Sequence, residues 1–368
     1  MSMDERKSRV WAEINLAALR HNVEYLRALL PEGCRLMPAL KANAYGHGAV
    51  PIAYELNRLG IREFCVATAD EGAQLRRAGI AGDILILGYT HESRLETVLE
   101  YDLIQCAADA EYLKMLLGQP LPLRVELSVD TGMHRLGIDW LDSAASLALL
   151  GQNKLKVEGA FTHICTDDED FSALQKRRFE SFTSSVALAG LKLRRKHLMS
   201  SQSLLNMPWL GGDLARVGIA LYGLMSRRGD APLHEDMLCP MLSLKTRVAS
   251  LRHISAGQGA GYGLSYLAEH DGLLATLPIG YGDGLPSCAA GKARVLINGR
   301  PAPIVGRLCM DQCLVDVTGI PCKSGDEAVL IGKSGSLEIS AYDLSESCGI
   351  ITNELLSRLG SRVEKIVM

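Results

Sequence analysis

From about Val10 to Gly223, short apolar runs rich in β-branched residues alternate with longer stretches whose apolar positions recur at helical spacing. The short runs fit strands buried on both faces and the longer stretches fit amphipathic helices, so the alternation predicts repeated βα units. The strand-like runs are Val10–Leu16, Arg35–Ala42, Phe64–Thr68, Asp83–Tyr89, Leu103–Ala107, Leu123–Asp130, Val157–Ile164, His197–Ser201 and Ala215–Tyr222. Helical candidates are Leu16–Leu30, Ala69–Gly79, Asp109–Gly118, Asp139–Leu150 and Phe171–Leu188. Nine runs are one more than a closed barrel of eight parallel strands takes, which leaves the first free to belong elsewhere; an open doubly wound sheet is the competing arrangement.

After about Arg227 strand-like runs dominate and Gly and Pro punctuate them. Asn298-Gly299 lies between Val295-Leu296-Ile297 and Ala302-Pro303-Ile304, a hairpin signal. Helical period returns only around Ser340–Ser347 and Asn353–Leu359. The expected architecture is an N-terminal (β/α)8 TIM-like barrel over residues 11–230 followed by a C-terminal β-rich domain over 231–368, to which residues 1–10 also belong.

Composition narrows the function. In 368 residues, 39 Lys and Arg against 42 Asp and Glu leave a net charge of −3, too little to gather the chain onto nucleic acid or an anionic membrane, so a small molecule is the expected partner. No apolar run approaches the roughly 18–20 residues that cross a bilayer, and the charged N-terminus does not read as a signal peptide. Ten scattered cysteines without a C-x-x-C pair read as reduced thiols in a cytoplasmic setting, and no histidine pair has metal-ligand spacing, so no metal is expected.

The most informative stretch is Lys41-Ala42-Asn43-Ala44-Tyr45-Gly46-His47-Gly48. An apolar strand ending in lysine just before a Gly-containing turn puts the amine, in a parallel barrel, at the C-terminal mouth where active sites are built. A partly desolvated lysine suits covalent carbonyl chemistry or proton transfer. The string resembles the pyridoxal-phosphate lysine motif of bacterial alanine racemases, a barrel-plus-β-domain family. Ser128-Val129-Asp130-Thr131-Gly132-Met133-His134-Arg135, Arg216-Val217-Gly218-Ile219, Gly261-Tyr262-Gly263, Gly280-Tyr281-Gly282-Asp283 and Cys309-Met310-Asp311 resemble further motifs of that family in its order.

The resemblance implies pyridoxal 5'-phosphate as cofactor, held by Lys41, with Lys41 and Tyr262 as the two catalytic acid–base groups at the substrate's Cα. Tyr262 would come from the other subunit of a homodimer; a tyrosine acts as a base only where cations or hydrogen bonds stabilise its phenolate. It further implies cofactor contacts from Tyr45, His163, Ser200, Ser201, Arg216, Gly218 and Ile219. Substrate contacts would come from Arg135 and Asn353, together with Tyr281, Met310 and Asp311 of the second subunit.

Three departures bear on substrate. Many alanine racemases carry a carbamylated lysine where Ser128 stands; a bound anion such as chloride, or a hydrogen-bonded substitute, is then expected to balance Arg135. Ser200-Ser201 replaces the more common Asn-Ser, and Asn353 stands where a tyrosine usually limits room around the substrate methyl. These features, with the ending from Asn353 to Arg362, resemble the racemase domains of membrane-bound serine racemases associated with vancomycin resistance. Serine and alanine are therefore the expected substrates, and D-amino acids for peptidoglycan the expected product. Asn353 has a second reading, as the N-cap of the helix over Asn353–Leu359. Plain alanine racemase and a related pyridoxal-phosphate decarboxylase are the alternatives. The resemblance also implies that 368 residues are the cytoplasmic catalytic part of a cell-membrane protein whose N-terminal membrane portion is not in this chain.

Overall fold

The computed structural model describes residue 7 and residues 9–141 and 155–368. Two sheets organise it. The barrel is built from β2 (Arg35–Leu36), β3 (Glu63–Val66), β4 (Asp83–Ile86), β5 (Ile104–Ala107), β6 (Arg124–Asp130), β8 (Lys156–Phe161), β9 (Arg195–His197) and β10 (Leu214–Ala215), with the short β7 (Ile138–Asp139) added beside β6. Neighbours from β3 to β9 pair in parallel, as do β10 and β2. Parallel bridges Ala39–Cys65 and Ser200–Arg216 close the ring, which rules out the open doubly wound sheet. The apolar residues of these strands are buried on both faces, as strands wrapped by helices require.

Helices α1 (Leu16–Ala28), α3 (Ala49–Arg58), α4 (Ala69–Arg77), α5 (Leu95–Glu100), α6 (Ala110–Gly118), α7 (Glu169–Leu188) and α8 (Ser201–Asn206) connect the strands. Most begin at side-chain caps: Asn15, Thr68, Asp109, Asp168 and Ser200 each accept a backbone N–H of the first turn. Helices α3 and α5 were not expected from periodicity, and the candidate Asp139–Leu150 lies largely outside the described residues.

The second sheet has ten strands. Its order is β12 (Ser250–Ile254), β15 (Gly272–Leu277), β18 (Cys313–Asp316), β17 (Arg300–Val305), β16 (Arg294–Ile297), β19 (Glu327–Ser334), β11 (Leu242–Arg247), β1 (Val10–Ile14) and β21 (Glu364–Val367), with β20 (Leu337–Ile339) beside β19. A separate small ribbon pairs β13 (Gly259–Ala260) with β14 (Tyr266–Leu267). The Asn298-Gly299 hairpin forms as expected between β16 and β17, with φ of 49° and 72° at its two central residues. The expected boundary between residues 10 and 11 runs through β1, which pairs with β11 and β21, so the barrel starts at α1.

The strands are shorter than the expected runs, three of them markedly: of His197–Ser201 only His197 belongs to a strand, at the end of β9, because Ser200 caps α8 and Ser201 begins it. Arg35–Ala42 gives way at Lys41 to α2 (Lys41–Tyr45), a left-handed turn with φ of 52°, 53°, 54° and 49° at Ala42, Asn43, Ala44 and Tyr45. Ala215–Tyr222 leaves the sheet after Ala215 and turns at Gly218 into a short 3-10 segment, Ile219–Tyr222. At the C-terminus, α9 (Ala341–Cys348) leads into α10 (Thr352–Ser357), which packs against α2 over the barrel mouth. No helix among the described residues is long and apolar enough to cross a membrane, and all ten cysteines are free.

Candidate active site

The C-terminal mouth of the barrel holds a cleft of about 450 Å³. Lys41 enters it from α2. Left-handed backbone in four consecutive non-glycine residues costs on the order of 1–2 kcal/mol each, so the turn persists only because its surroundings hold it. Glu71 Oε1 accepts the Ala42 amide at 2.7 Å, Asn43 Oδ1 accepts the Ala49 amide at 2.8 Å, and the Asn43 carbonyl accepts the Gly48 amide at 2.9 Å. His47, fully buried, meets the Ala44 and Tyr45 carbonyls through Nδ1 and stacks on Tyr222 with ring centroids 4.5 Å apart. Gly46 is required twice over: its φ is 77°, and a Cβ there would lie 2.2 Å from the Leu356 carbonyl oxygen of α10.

Tyr45, at the end of the same turn, reaches the segment after β10. A Cβ at Gly218 would sit 2.6 Å from Tyr45 Oη, so glycine allows the phenol to lie against the backbone there. Ser201 Oγ accepts the amides of Gly218 at 2.9 Å and Ala220 at 3.3 Å, which leaves its own proton free to donate. Burial pushes the Tyr45 hydroxyl well above its ordinary pKa, so it also stays a donor. Ser200 has a different duty: as N-cap of α8 its Oγ faces the Ser203 amide and hydroxyl.

Arg216 forms the floor. Nearly buried, it donates through Nη2 to the carbonyls of Thr162 at 2.6 Å and Leu198 at 3.2 Å, and through Nη1 to the His197 carbonyl at 3.0 Å and His197 Nδ1 at 2.6 Å. Its guanidinium lies 5.2 Å over the Phe161 ring. Burial lowers its pKa to about 10, which still leaves it cationic at neutral pH. His163, with Nδ1 3.5 Å from Arg216 Nη2, is pushed down to about 3 by burial and by the cations Arg216, Arg135 and Lys41, and is neutral. Arg135 and Ser128 both line the cleft.

Of the residues singled out in the sequence, Lys41, Tyr45, Arg135, His163, Ser200, Ser201, Arg216, Gly218, Ile219 and Asn353 all line this one cleft. Asn353 is not a helix cap: α10 starts at Thr352, its N-cap is Ile351, and the Asn353 side chain sits near Thr352 Oγ1 at 3.5 Å. Thr352 Oγ1 in turn donates to the Met225 carbonyl at 2.6 Å, fixing α10 to the end of the barrel. Tyr262, Tyr281, Met310 and Asp311 do not line the cleft of their own chain. They lie on the β-rich domain, and Tyr262 is 67% exposed. The loops of Tyr281 and of Met310-Asp311 are nevertheless held: Arg9 forks onto the buried Asp283 at 2.7 and 2.9 Å, and Arg362 reaches both Asp283 at 3.2 Å and Asp311 at 2.6 Å. Sequence reasoning missed His197 and Glu126 beneath Arg216; a carboxylate in the middle of the apolar run Val125-Glu126-Leu127 was the available signal.

The cleft thus presents an amine, a neutral imidazole, a fixed guanidinium, two protonated hydroxyls and the backbone of the Gly218-Ile219 turn. Pyridoxal 5'-phosphate fits this set: the hydroxyls and the turn suit a phosphate, Lys41 an aldehyde, and Arg216 a ring nitrogen that accepts. Fold and cleft together define a pyridoxal-phosphate enzyme with a barrel and a β-rich domain.

The descriptions "Alanine racemase, N-terminal domain" and "Alanine racemase, C-terminal domain" match residues 14–226 and 241–367. The chain is 40% identical over 367 residues to an amino-acid racemase of Enterococcus faecalis, covering 97% of this chain and 51% of that protein, so it spans about half of that relative. It is 37% identical over 366 residues to the alanine racemase of Desulfovibrio desulfuricans, covering 97% of each. Among solved structures, the alanine racemase of Bacillus anthracis with bound L-Ala-P superimposes with a TM-score of 0.91 at 31% identity, over 98% of this chain and 95% of that one. That of E. faecalis gives 0.89 at 32% identity, over 98% of each. The chain belongs to the alanine racemase family, whose members are pyridoxal-phosphate-dependent racemases.

Proposed function

We propose that this protein racemises serine as well as alanine, in a homodimer whose two active sites each combine one barrel with the neighbour's β-rich domain. The observation that carries the serine reading is Asn353: it lines the cleft that holds Lys41, and it offers a donor and an acceptor to a substrate hydroxyl. A buried hydroxyl left unpaired costs on the order of 1–3 kcal/mol, enough to move preference between the two amino acids by roughly ten- to a hundredfold. Likeness to an E. faecalis protein named amino-acid racemase, a name wider than alanine, supports this reading. A supply of D-amino acids for peptidoglycan precursors in the setting of vancomycin resistance is part of the same proposal.

Inverting a stereocentre by proton exchange needs one group on each face of Cα. Lys41 takes or returns the proton on one face, and the partner subunit's Tyr262 does so on the other. Pyridoxal 5'-phosphate, when bound, withdraws electrons from the substrate's Cα and makes its hydrogen acidic. Tyr45, Ser201 and the turn at Gly218 and Ile219 would hold the phosphate, with the Gly218 amide spent on Ser201 Oγ, while Ser200 supports them by capping α8. Arg216, cationic at neutral pH, would keep the ring nitrogen unprotonated, which favours simple proton return over bond-breaking side reactions. His163, which lines the cleft, would flank the cofactor ring. Arg135 would receive the substrate carboxylate, with Tyr281, Met310 and Asp311 of the partner subunit lining the entrance and adding main-chain and side-chain contacts, and an anion such as chloride near Ser128 would balance it.

The deciding experiment incubates purified holoenzyme with L-serine or L-alanine in D2O and follows optical rotation and deuterium at Cα. Both signals are expected with both amino acids. Exchange with alanine alone supports the plain alanine racemase, and carbon dioxide release supports the decarboxylase.

A further inference from the structure

Beneath Arg216 the barrel interior is polar along one continuous line. His197 Nε2 lies 2.7 Å from Glu126 Oε2, and Glu126 Oε1 lies 2.6 Å from Arg195 Nε. Arg195 Nη1 reaches Asp83 Oδ2 at 2.8 Å, Asp83 Oδ1 meets Arg124 Nη2 at 2.7 Å, and Arg124 Nε meets Glu158 Oε1 at 2.9 Å. Arg124 with Glu126 on β6, and Arg195 with His197 on β9, are two residues apart and so share a face. Asp83 on β4 pairs with both arginines although β4 adjoins neither β6 nor β9, so these contacts cross the barrel interior. Glu126 and His197 expose nothing and Arg195 almost nothing, whereas Asp83 and Arg124 are partly exposed and the far end is paired with the exposed Lys156, Arg194 and Asp102.

Charge alternates along the line: Arg216, neutral His197, Glu126, Arg195, Asp83, Arg124, Glu158. The protonation of His197 follows from donor chemistry. A guanidinium can only donate, so His197 Nδ1 accepts from Arg216 and carries no proton; the ring proton is on Nε2, aimed at the Glu126 carboxylate. Burial acts in the same direction, holding the imidazole below its ordinary pKa. Burial opposes ionisation of Glu126, but His197 and Arg195 outweigh it and keep the carboxyl below its usual range.

We propose that Glu126, seated between His197 and Arg195, is a positioning residue of the active site: it locks His197 as the Nε2–H tautomer, and through it fixes the guanidinium of Arg216 at the cleft floor. The function rests on the reading of Arg216 as a cofactor-facing residue. Glutamine at this position keeps one acceptor but turns its amide toward either Arg195 or His197. A donor then faces a donor, or the imidazole proton moves to Nδ1 and opposes Arg216.

The test compares Glu126→Gln, Glu126→Asp and Glu158→Gln as holoenzymes at one fixed neutral pH. The readouts are histidine 15N NMR, thermal midpoint, the absorption spectrum of the bound cofactor, and kcat and KM. In the unaltered enzyme His197 is expected to carry its single proton on Nε2. Glu126→Gln is expected to lose that signature, to shift the cofactor spectrum and to lower kcat by roughly tenfold or more with KM little changed, while Glu126→Asp restores part of each. Glu158→Gln, at the solvent end of the line, is expected to lower the thermal midpoint and leave the other readouts alone.

The proposal is overturned if Glu126→Gln keeps the Nε2–H signature and kcat, or if loss of kcat follows loss of thermal stability equally in Glu126→Gln and Glu158→Gln. Should Glu126→Gln fail to fold, a proton on Nδ1 of His197 in the unaltered enzyme overturns it alone. An unaltered enzyme that racemises nothing refutes the functional reading and leaves the tautomer still measurable.

Discussion

Glu71 accepts the Ala42 amide at 2.7 Å, and this one hydrogen bond ties the first turn of α4 to the left-handed turn that begins at Lys41. The same carboxylate accepts the amides of Ala67 at 2.7 Å and Thr68 at 3.3 Å, so it closes a capping box and braces α2 at once. Replacing Glu71 with Ala leaves the Ala42 amide without its partner in a turn that is already unfavourable. The expected loss is about 1–3 kcal/mol of stability, together with a fall in racemisation rate beyond what fewer folded molecules explain. Denaturation curves and turnover per folded site check this; unchanged turnover per folded site means that Glu71 only caps the helix.

Gly46 joins the lysine turn to α10. Gly46→Ala puts a methyl 2.2 Å from the Leu356 carbonyl at a φ of 77°. The expected destabilisation is about 2 kcal/mol or more, with displacement of α10 and hence of Asn353. The readouts are the thermal midpoint and the serine-to-alanine ratio, both of which should change. A variant as stable as the parent contradicts the described packing.

Asn353→Tyr fills part of the cleft that Asn353 lines and removes an amide. Serine racemisation is expected to fall relative to alanine by roughly tenfold or more. An unchanged ratio of the two kcat/KM values excludes Asn353 as the source of serine activity.

Acid should unfold this protein through identifiable groups. Burial holds His47 at about 4, against 6.5 for an unperturbed histidine. Burial and nearby cations hold His163 at about 3. Burial opposes ionisation of Glu158, but Lys156, Arg124 and Arg194 outweigh it and bring its pKa to about 2 from 4.5. In each case the folded value lies below the unfolded one, so the unfolded chain takes up protons first as the pH falls. These contributions are complete above pH 6.5 for the histidines and above 4.5 for Glu158, and are lost toward 4, 3 and 2 respectively. Urea midpoints should therefore decline steadily below about pH 6.5. A midpoint constant from pH 7 to pH 4 contradicts this assignment.

How much of this was legible before the structure depends on which physics was local. Continuous apolar runs such as Asp83–Ile86 and Ile104–Ala107 announced barrel strands, and Asn298-Gly299 announced its hairpin, because in each the determining residues are adjacent in sequence. The departure from extended backbone at Lys41 was not legible, since Ala42 and Ala44 have no local preference for positive φ; partners at Glu71, Ala49 and Leu356 impose it. Helix α3 was hidden behind the glycines at 46 and 48 that precede it. Asn353 looked suited to capping, and only the tertiary bond from Thr352 to Met225 moved the helix start one residue earlier. The cleft residues were found through motif resemblance, whereas Glu126 and His197 lie outside those motifs and are joined by contacts across the barrel.

The claim that most needs a direct test is that the active site is shared between subunits. Lys41→Ala and Tyr262→Phe homodimers should each be nearly inactive. Mixed in equal amounts and allowed to exchange subunits, half of the dimers become heterodimers, and each of these contains one site with both Lys41 and Tyr262 intact. The account predicts that racemisation returns to about a quarter of the unaltered enzyme's rate. A mixture no more active than its two components, with subunit exchange confirmed, would contradict it.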